Sequence, residues 1–293
     1  MIDKPAGITS SRVVEKLRRS VGAKAGHAGT LDPLATGVLP IALGEATKTM
    51  HFVSAGRKRY RFRVRWGIAT DTEDREGKIT GESVARPDAA SIAAALPHFT
   101  GTVMQRPPAY SALKVAGRRA YALARAGKPA ELPPRPVEIH GLYLIAADEP
   151  DYADFEAAVG EGTYIRSLAR DLAEALGTLG HITELRRLSV GRFEEIQAIS
   201  LDSALALGHS LAATEHLLPI ETALDDIPAL ALTATEAARL RHGQRVRPQD
   251  AGEQARLDHI EDGTVVGARH EQLLVALARI EEGGLRPVRV INR

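Results

Sequence analysis

Cysteine is absent from all 293 residues, which removes disulfides, thiolate zinc sites and thiolate nucleophiles together. Long apolar runs are missing as well. No stretch approaches the ~20 apolar residues a membrane span needs, and the opening Met1-Ile2-Asp3-Lys4-Pro5 lacks the basic and then apolar grading of a signal peptide. A cytoplasmic protein without a membrane partner is expected. The ten histidines show no metal-ligand spacing, and neither the Walker phosphate loop nor the dinucleotide-binding glycine fingerprint occurs. No metal and no cofactor are expected.

A strong charge imbalance is also lacking: 38 basic against 37 acidic residues leave a net charge of +1. A dedicated nucleic-acid binder is usually more basic, but the distribution is uneven. Arg57, Lys58, Arg59, Arg61, Arg63 and Arg65 crowd one stretch, and Asp148, Glu149, Asp151, Asp154, Glu156 and Glu161 another. Such a field either binds phosphate on one face or forms a solvated surface balanced elsewhere.

What is present is an ordinary globular composition, 44% apolar and 26% charged, in a chain long enough for one large domain and a small one. It is organised around the loop Gly26-His27-Ala28-Gly29-Thr30-Leu31-Asp32-Pro33-Leu34-Ala35-Thr36-Gly37-Val38-Leu39-Pro40. Pro33 pushes Asp32 out of the α region, and glycines on both sides allow turns that side chains would block. The loop aims one carboxylate stiffly; Asp before Pro is equally an ordinary turn starter.

Elsewhere the period decides. Asp3 to Ser10 reads as a turn ending in a polar cap, followed by a helix with Val13, Val14 and Leu17 inward. Tyr60, Phe62, Val64 and Trp66 alternate with arginines, the clearest strand in the chain. Residues 70–77 form a hairpin turn without calcium spacing, and a helix from Asp88 is ended by Pro97. Between Gln105 and Arg135, seven basic residues face one acid, Glu131, with Tyr110 and Tyr121 among them. That suits an arm gripping a phosphate backbone, or a helix with a wet basic face. Two strands follow, at Val137 to Ile145 and Asp154 to Val159. A helix with Tyr164 and Arg166 in its first turn then ends at Gly177, and the arginine there opposes the helix dipole. A capping box at Thr233 to Glu236 and short apolar runs to Ile291 mark a small β-rich module joined near Asp225 to Pro228. Composition alone gives α+β.

The string from His27 to Pro40, with Leu43-Gly44-Glu45-Ala46-Thr47-Lys48 after it, closely resembles the catalytic motif of the TruB family, the bacterial tRNA pseudouridine synthases. Asp3-Lys4-Pro5-Ala6-Gly7, Tyr110-Ser111-Ala112-Leu113-Lys114, Gly162-Thr163-Tyr164-Ile165-Arg166 and the segment His181 to Leu188 are similar to further motifs of that family. In such chains a short strand precedes the first motif, so here either that strand is shortened or the start lies upstream. The resemblance covers residues 3 to about 225.

The resemblance implies a mixed, largely antiparallel sheet with flanking helices in a catalytic domain, 1–225, and a PUA-like RNA-binding domain, 226–293. It implies Asp32 as the essential carboxylate, Arg166 as its partner, and Tyr60 stacking on a flipped uracil and sharing in proton transfer at C5. His27 would fill the space the base vacates, Tyr164 and Leu185 would line the pocket, and Lys4 and Lys114 would contact RNA; the charge of the basic segment adds Arg118 and Arg119 as RNA contacts. The implied activity is cofactor-free isomerisation of uridine-55 in the tRNA T stem-loop by a monomer. An RNA-binding or tRNA-folding protein without essential catalysis, and a synthase acting on another RNA, remain as alternatives.

Overall fold

A computed structural model describes the chain except at Ala116, Thr214, Asp226 and Arg293. Asp226, where the second domain is expected to begin, therefore lies outside the described residues. Among the described residues the first strands are β1 (Ile2–Lys4), β2 (Ala25–His27), β3 (Thr36–Leu39), β4 (Ile41–Leu43), β5 (Lys58–Trp66), β6 (Ile68–Thr70), β7 (Ile79–Glu82) and β8 (Gly101–Gln105). They continue with β9 (Lys114–Val115), β10 (Arg118–Arg119), β11 (Arg135–Ala146), β12 (Tyr152–Val159), β13 (Gly180–Val190), β14 (Phe193–Glu194) and β15 (Ile199–Ser200). The last are β16 (Ala229–Ala231), β17 (Val265–His270), β18 (Leu273–Glu281) and β19 (Gly284–Val290). Helices are α1 (Ser10–Val21), α2 (Met50–Ala55), α3 (Ala89–Ala95), α4 (Ala120–Arg125), α5 (Ile165–Ala175), α6 (Leu201–Leu207), α7 (Ala234–Arg241) and α8 (Ala251–Leu257). None of them is long and apolar enough to cross a membrane.

The chain divides into two compact units. One comprises residues 1–13, 30–40 and 54–203. Its sheet runs β15-β1-β3-β13-β5-β12-β11-β8, with β14 beside β13. Among the strands of the described residues in this sheet, β1/β15 and β3/β13 pair in parallel and the rest antiparallel, so the sheet is mixed and largely antiparallel, in an α+β fold. The segment at Asp3 and Lys4 is itself strand β1, held between β3 and β15.

β5 lies near the middle because its alternation leaves no second register. Tyr60, Phe62, Val64 and Trp66 are all buried, and a one-residue slip would drive four arginines into their place. Phe62 stacks on Phe155 of β12 at 5.3 Å, and Trp66 meets the same ring edge-on. On the opposite face the cross-strand register sets Arg61 against Glu156 and Arg63 against Asp154. Both pairs are hydrogen-bonded. The basic and acidic runs, about 90 residues apart in sequence, thus lie side by side and neutralise one another. The separated field that their spacing suggests is not what forms on this face.

Smaller expectations resolve locally. Asp88 caps α3 by accepting from Ser91 N at 2.7 Å. Pro97 does not stop the chain turning, because a 3-10 turn, Leu96–Phe99, carries it near its start, where a missing N–H is harmless. The segment 70–77 links β6 to β7 as a hairpin.

The other unit comprises residues 14–29, 41–53 and 204–293. Its sheet is β16-β17-β18-β19, with the β2/β4 hairpin as a separate ladder. The capping box forms at α7: Thr233 Oγ1 accepts from Glu236 N, and Glu236 Oε2 accepts from Thr233 N at 2.7 Å. One core gathers Leu240, Val266, Val275 and Ile280. A second joins Leu224, Leu274, Leu277 and Ile291, with Phe52 and Ile220 packed against it.

Candidate active site

Asp32 is held by its neighbours on both sides. Leu31 N donates to Ser10 Oγ at 2.8 Å, and Ser10 Oγ donates back to Leu31 O at 3.0 Å. Pro33 O accepts from Gly7 N at 2.8 Å and from Lys4 Nζ at 3.2 Å. The turn closes with Ala35 N on Asp32 O at 3.1 Å. A little further on, Gly37 lies against β13 so closely that a Cβ would fall 2.2 Å from Arg187 O, and its φ is +99°. Only glycine fits there.

The carboxylate so presented meets Arg166. Nε donates to Asp32 Oδ2 at 2.9 Å and Nη2 to Asp32 Oδ1 at 3.2 Å, the fork geometry in which an arginine binds a carboxylate most specifically. The guanidinium also donates to Thr72 O at 2.7 Å and to Tyr110 O at 2.9 Å. Asp74, itself buried, stands 3.8 Å from Nε. Burial alone would lower the pKa of the guanidinium, but Asp32 and Asp74 outweigh it and the net direction is upward. This offsets the unfavourable helix dipole at the start of α5. The two partners differ in exposure: the Asp32 side chain is 32% exposed, that of Arg166 only 4%. The acid opens outward and the base is enclosed.

Register places the other expected residues. Tyr60 lies opposite Arg187, and Phe62 opposite Leu185, so these four share one face of β5 and β13. Gly37 sits between Lys4 on β1 and Arg187 on β13. Lys4 is fully enclosed, and its ammonium donates to Pro5 O, Ile8 O and Pro33 O. All three of its hydrogens are thus committed to the loop that carries Asp32, which leaves none for an RNA phosphate. Next to this loop a cleft of about 420 Å³ is lined by residues including Leu34, Thr36, Arg75, Leu185 and Arg186.

Tyr164 stands just before α5 with extended backbone (φ −101°, ψ 114°), not within its first turn. It is the N-cap, whose C=O accepts the first bond of the helix from Leu168 N at 3.0 Å, and the side-chain amide of Gln105 bonds both its N–H and its C=O. His27 ends β2, paired with Ile41. Lys114, Arg118 and Arg119 are exposed on the β9/β10 hairpin. The basic segment is therefore a short hairpin followed by α4, with Tyr110 edge-on to Tyr121 and Arg125 over the Tyr121 ring. Asp74, Ser10 and Gln105 were not singled out by sequence. Asp74 reads there only as one acid in a polar turn, and the other two carry no motif of their own.

A family model described as TruB family pseudouridylate synthase (N terminal domain) matches residues 16–165. The chain belongs to the TruB family. A second model, tRNA pseudouridylate synthase B C-terminal domain, matches residues 166–225. This TruB-family chain is 54% identical over 292 residues to a tRNA pseudouridine synthase B of Rhodospirillum rubrum, covering 99% of this chain and 95% of that one. It is 53% identical over 300 residues to the protein of that name from Bradyrhizobium diazoefficiens, covering 100% and 85%. It is thus a pseudouridine synthase, an isomerase. The solved structure of a Cbf5-Nop10-Gar1 complex has the same fold at 24% identity, with a TM-score of 0.74 over 99% of this chain and 84% of that one. An H/ACA RNP bound to a substrate RNA containing 2'-deoxyuridine gives 0.73 at 22%, over 100% and 84%. Among the described residues of this TruB-family chain, no three His, Asp or Glu side chains group as a metal site.

Proposed function

We propose that this chain converts the uridine conventionally numbered 55 in the T loop of tRNA to pseudouridine, with Asp32 as the catalytic carboxylate. The observation that carries the reading is the forked contact between a buried Arg166 and a partly exposed Asp32. A carboxylate tied at its two flanking residues and paired on its inner side is preorganised for a substrate arriving from the other.

The reaction breaks the bond from uracil N1 to the sugar, rotates the base and rejoins it through C5. The proton lost at C5 is balanced by one gained at N1, so no atom is added or removed and no cofactor is required. Asp32 serves this by attack on C6, by attack on C1′, or by assisting loss of a 2′ proton. Tyr60 provides a stacking surface and a phenol for the C5 proton, and Leu185, on the same face, supplies the apolar wall beside it. Tyr164 lines the pocket. His27, on the family resemblance, takes the place the extruded base leaves and offsets part of the unstacking cost. Lys4 acts by holding the loop, while Lys114, Arg118 and Arg119 meet the phosphate backbone. Residues 226–293 add an RNA-binding surface, and the protein works as a monomer in the cytoplasm.

The test is tritium release from T-arm RNA labelled at uracil C5, combined with mapping of modified positions in RNA from a deletion strain. Wild-type protein should release tritium at position 55, and Asp32→Asn should lose at least about a thousandfold in rate. Release that survives Asp32→Asn unchanged refutes the assignment.

A further inference from the structure

The basic arm leaves the sheet at Gln105 and returns at Arg135, and these two residues are direct cross-strand partners of β8 and β11. Both turn toward the same short segment, the one that leads into α5. Gln105 is 2% exposed. Its Oε1 accepts from Tyr164 N at 2.8 Å, and its Nε2 donates to Tyr164 O at 3.1 Å. A side-chain amide here imitates a strand neighbour and satisfies both main-chain groups of one residue. Arg135 Nη2 donates to Gly162 O at 2.7 Å, and its guanidinium lies over the Tyr164 ring at 5.5 Å. Further along the arm, Arg106 O accepts from Arg170 and Tyr110 O from Arg166.

Only Ile165 separates Tyr164 from Arg166. The direction in which the Arg166 side chain leaves α5 depends on the φ and ψ of the residues just before it, and the Gln105 amide grips both main-chain groups of Tyr164, the extended N-cap whose C=O also accepts the first bond of α5 from Leu168 N. We propose that Gln105, seconded by Arg135, is a positioning residue that fixes the main chain at Tyr164 and thereby aims Arg166 at Asp32. The root of the arm and the ion pair then form one rigid arrangement, in which the basic arm's attachment sets the geometry of the carboxylate. This rests on the role given to Asp32 above.

The experiment uses the full chain and the C5-labelled T-arm RNA, and measures the single-turnover rate, RNA affinity by filter binding and the thermal melt. Gln105→Glu keeps size and the acceptor for Tyr164 N but sets an oxygen against Tyr164 O; Gln105→Met removes both bonds. Each should lower the single-turnover rate by about tenfold or more while RNA affinity stays within about twofold, the pattern of a group that acts on chemistry and not on binding. Arg135→Leu should show a smaller loss of the same kind. Combined with Gln105→Glu, it should cost less than the product of the two, because both act on one segment. Should Gln105→Met fail to melt cooperatively, Gln105→Glu and Arg135→Leu carry the comparison. Unchanged rates, a loss of affinity equal to the loss of rate, or clean multiplication in the double variant would overturn the proposal. Absence of tritium release by the wild-type protein would instead overturn the reading of Asp32, before any variant is compared.

Discussion

Ser10 and Leu31 exchange two hydrogen bonds, with the hydroxyl of the first serving both the N–H and the C=O of the second. Ser10 opens α1 and Leu31 immediately precedes Asp32, so the start of a helix fixes the residue before the acid. Ser10→Ala should therefore act on both stability and rate. Leaving two buried main-chain groups unpaired costs about 1–3 kcal/mol each at most, and Asp32 loses one of its two anchors. Urea unfolding together with tritium release checks this; a variant equal to wild type in both would mean the loop is held elsewhere.

Arg166→Lys tests the fork. An ammonium offers one point of contact where the guanidinium supplies Nε and Nη2 to Asp32 and further donors to Thr72 O and Tyr110 O. The substitution keeps the charge and loses the geometry, and the release rate should drop by about a hundredfold. Arg166→Ala also leaves Asp32 and Asp74 facing each other and should destabilise by about 3–5 kcal/mol. A fully active Arg166→Lys would show that charge alone suffices.

Lys4 carries a pH signature. Burial, against the opposing pull of Asp32 and Glu76, lowers its ammonium from 10.5 to about 8. Between those values the unfolded chain still holds a proton that the folded chain has shed, so the contribution of Lys4 to stability rises with pH across that window. The rise amounts to at most about 3 kcal/mol. In Lys4→Met it disappears. Denaturant midpoints for both proteins, followed from neutral pH up through the Lys4 window, should show wild type gaining on Lys4→Met as the pH rises; parallel curves, or a relative loss by wild type, would contradict the prediction.

Arg118 and Arg119 are exposed on the β9/β10 hairpin, each opposite a β9 residue. Replacing both with alanine should weaken RNA binding and reduce the slope of log affinity against log salt by about 2, one for each phosphate no longer neutralised. Melting should shift little, since surface changes of this type are usually within about 0.5 kcal/mol. An unaltered slope would mean the hairpin does not touch phosphate.

Much of the sheet was legible in the sequence where one strand settles its own geometry. The alternation of β5 fixes both its faces, and the box at Thr233 and Glu236 marks the start of α7. What was hidden depends on partners distant in sequence. The Arg61 to Glu156 and Arg63 to Asp154 pairs follow from a register that neither strand encodes alone, so two charged runs that look separate turn out to be one neutral face. Asp32 and Arg166 are 134 residues apart, and only family resemblance joined them beforehand; no spacing rule could. Lys4 in a turn motif reads as available for a ligand, because the carbonyls of Pro5 and Ile8 close on its ammonium only together with that of Pro33, 29 positions on. Gln105 was silent for the same reason: its amide imitates a strand neighbour for a residue 59 positions on.

The second compact unit packs Phe52, from the first fifth of the sequence, against a core of Leu224, Leu274, Leu277 and Ile291. A ribosome delivering this chain must therefore leave that phenylalanine waiting until nearly the last codon has been read. A fragment expressed from residue 204 onward would lack one of its own packing faces, and supplying residues 14–53 in trans is the complement such a fragment would require.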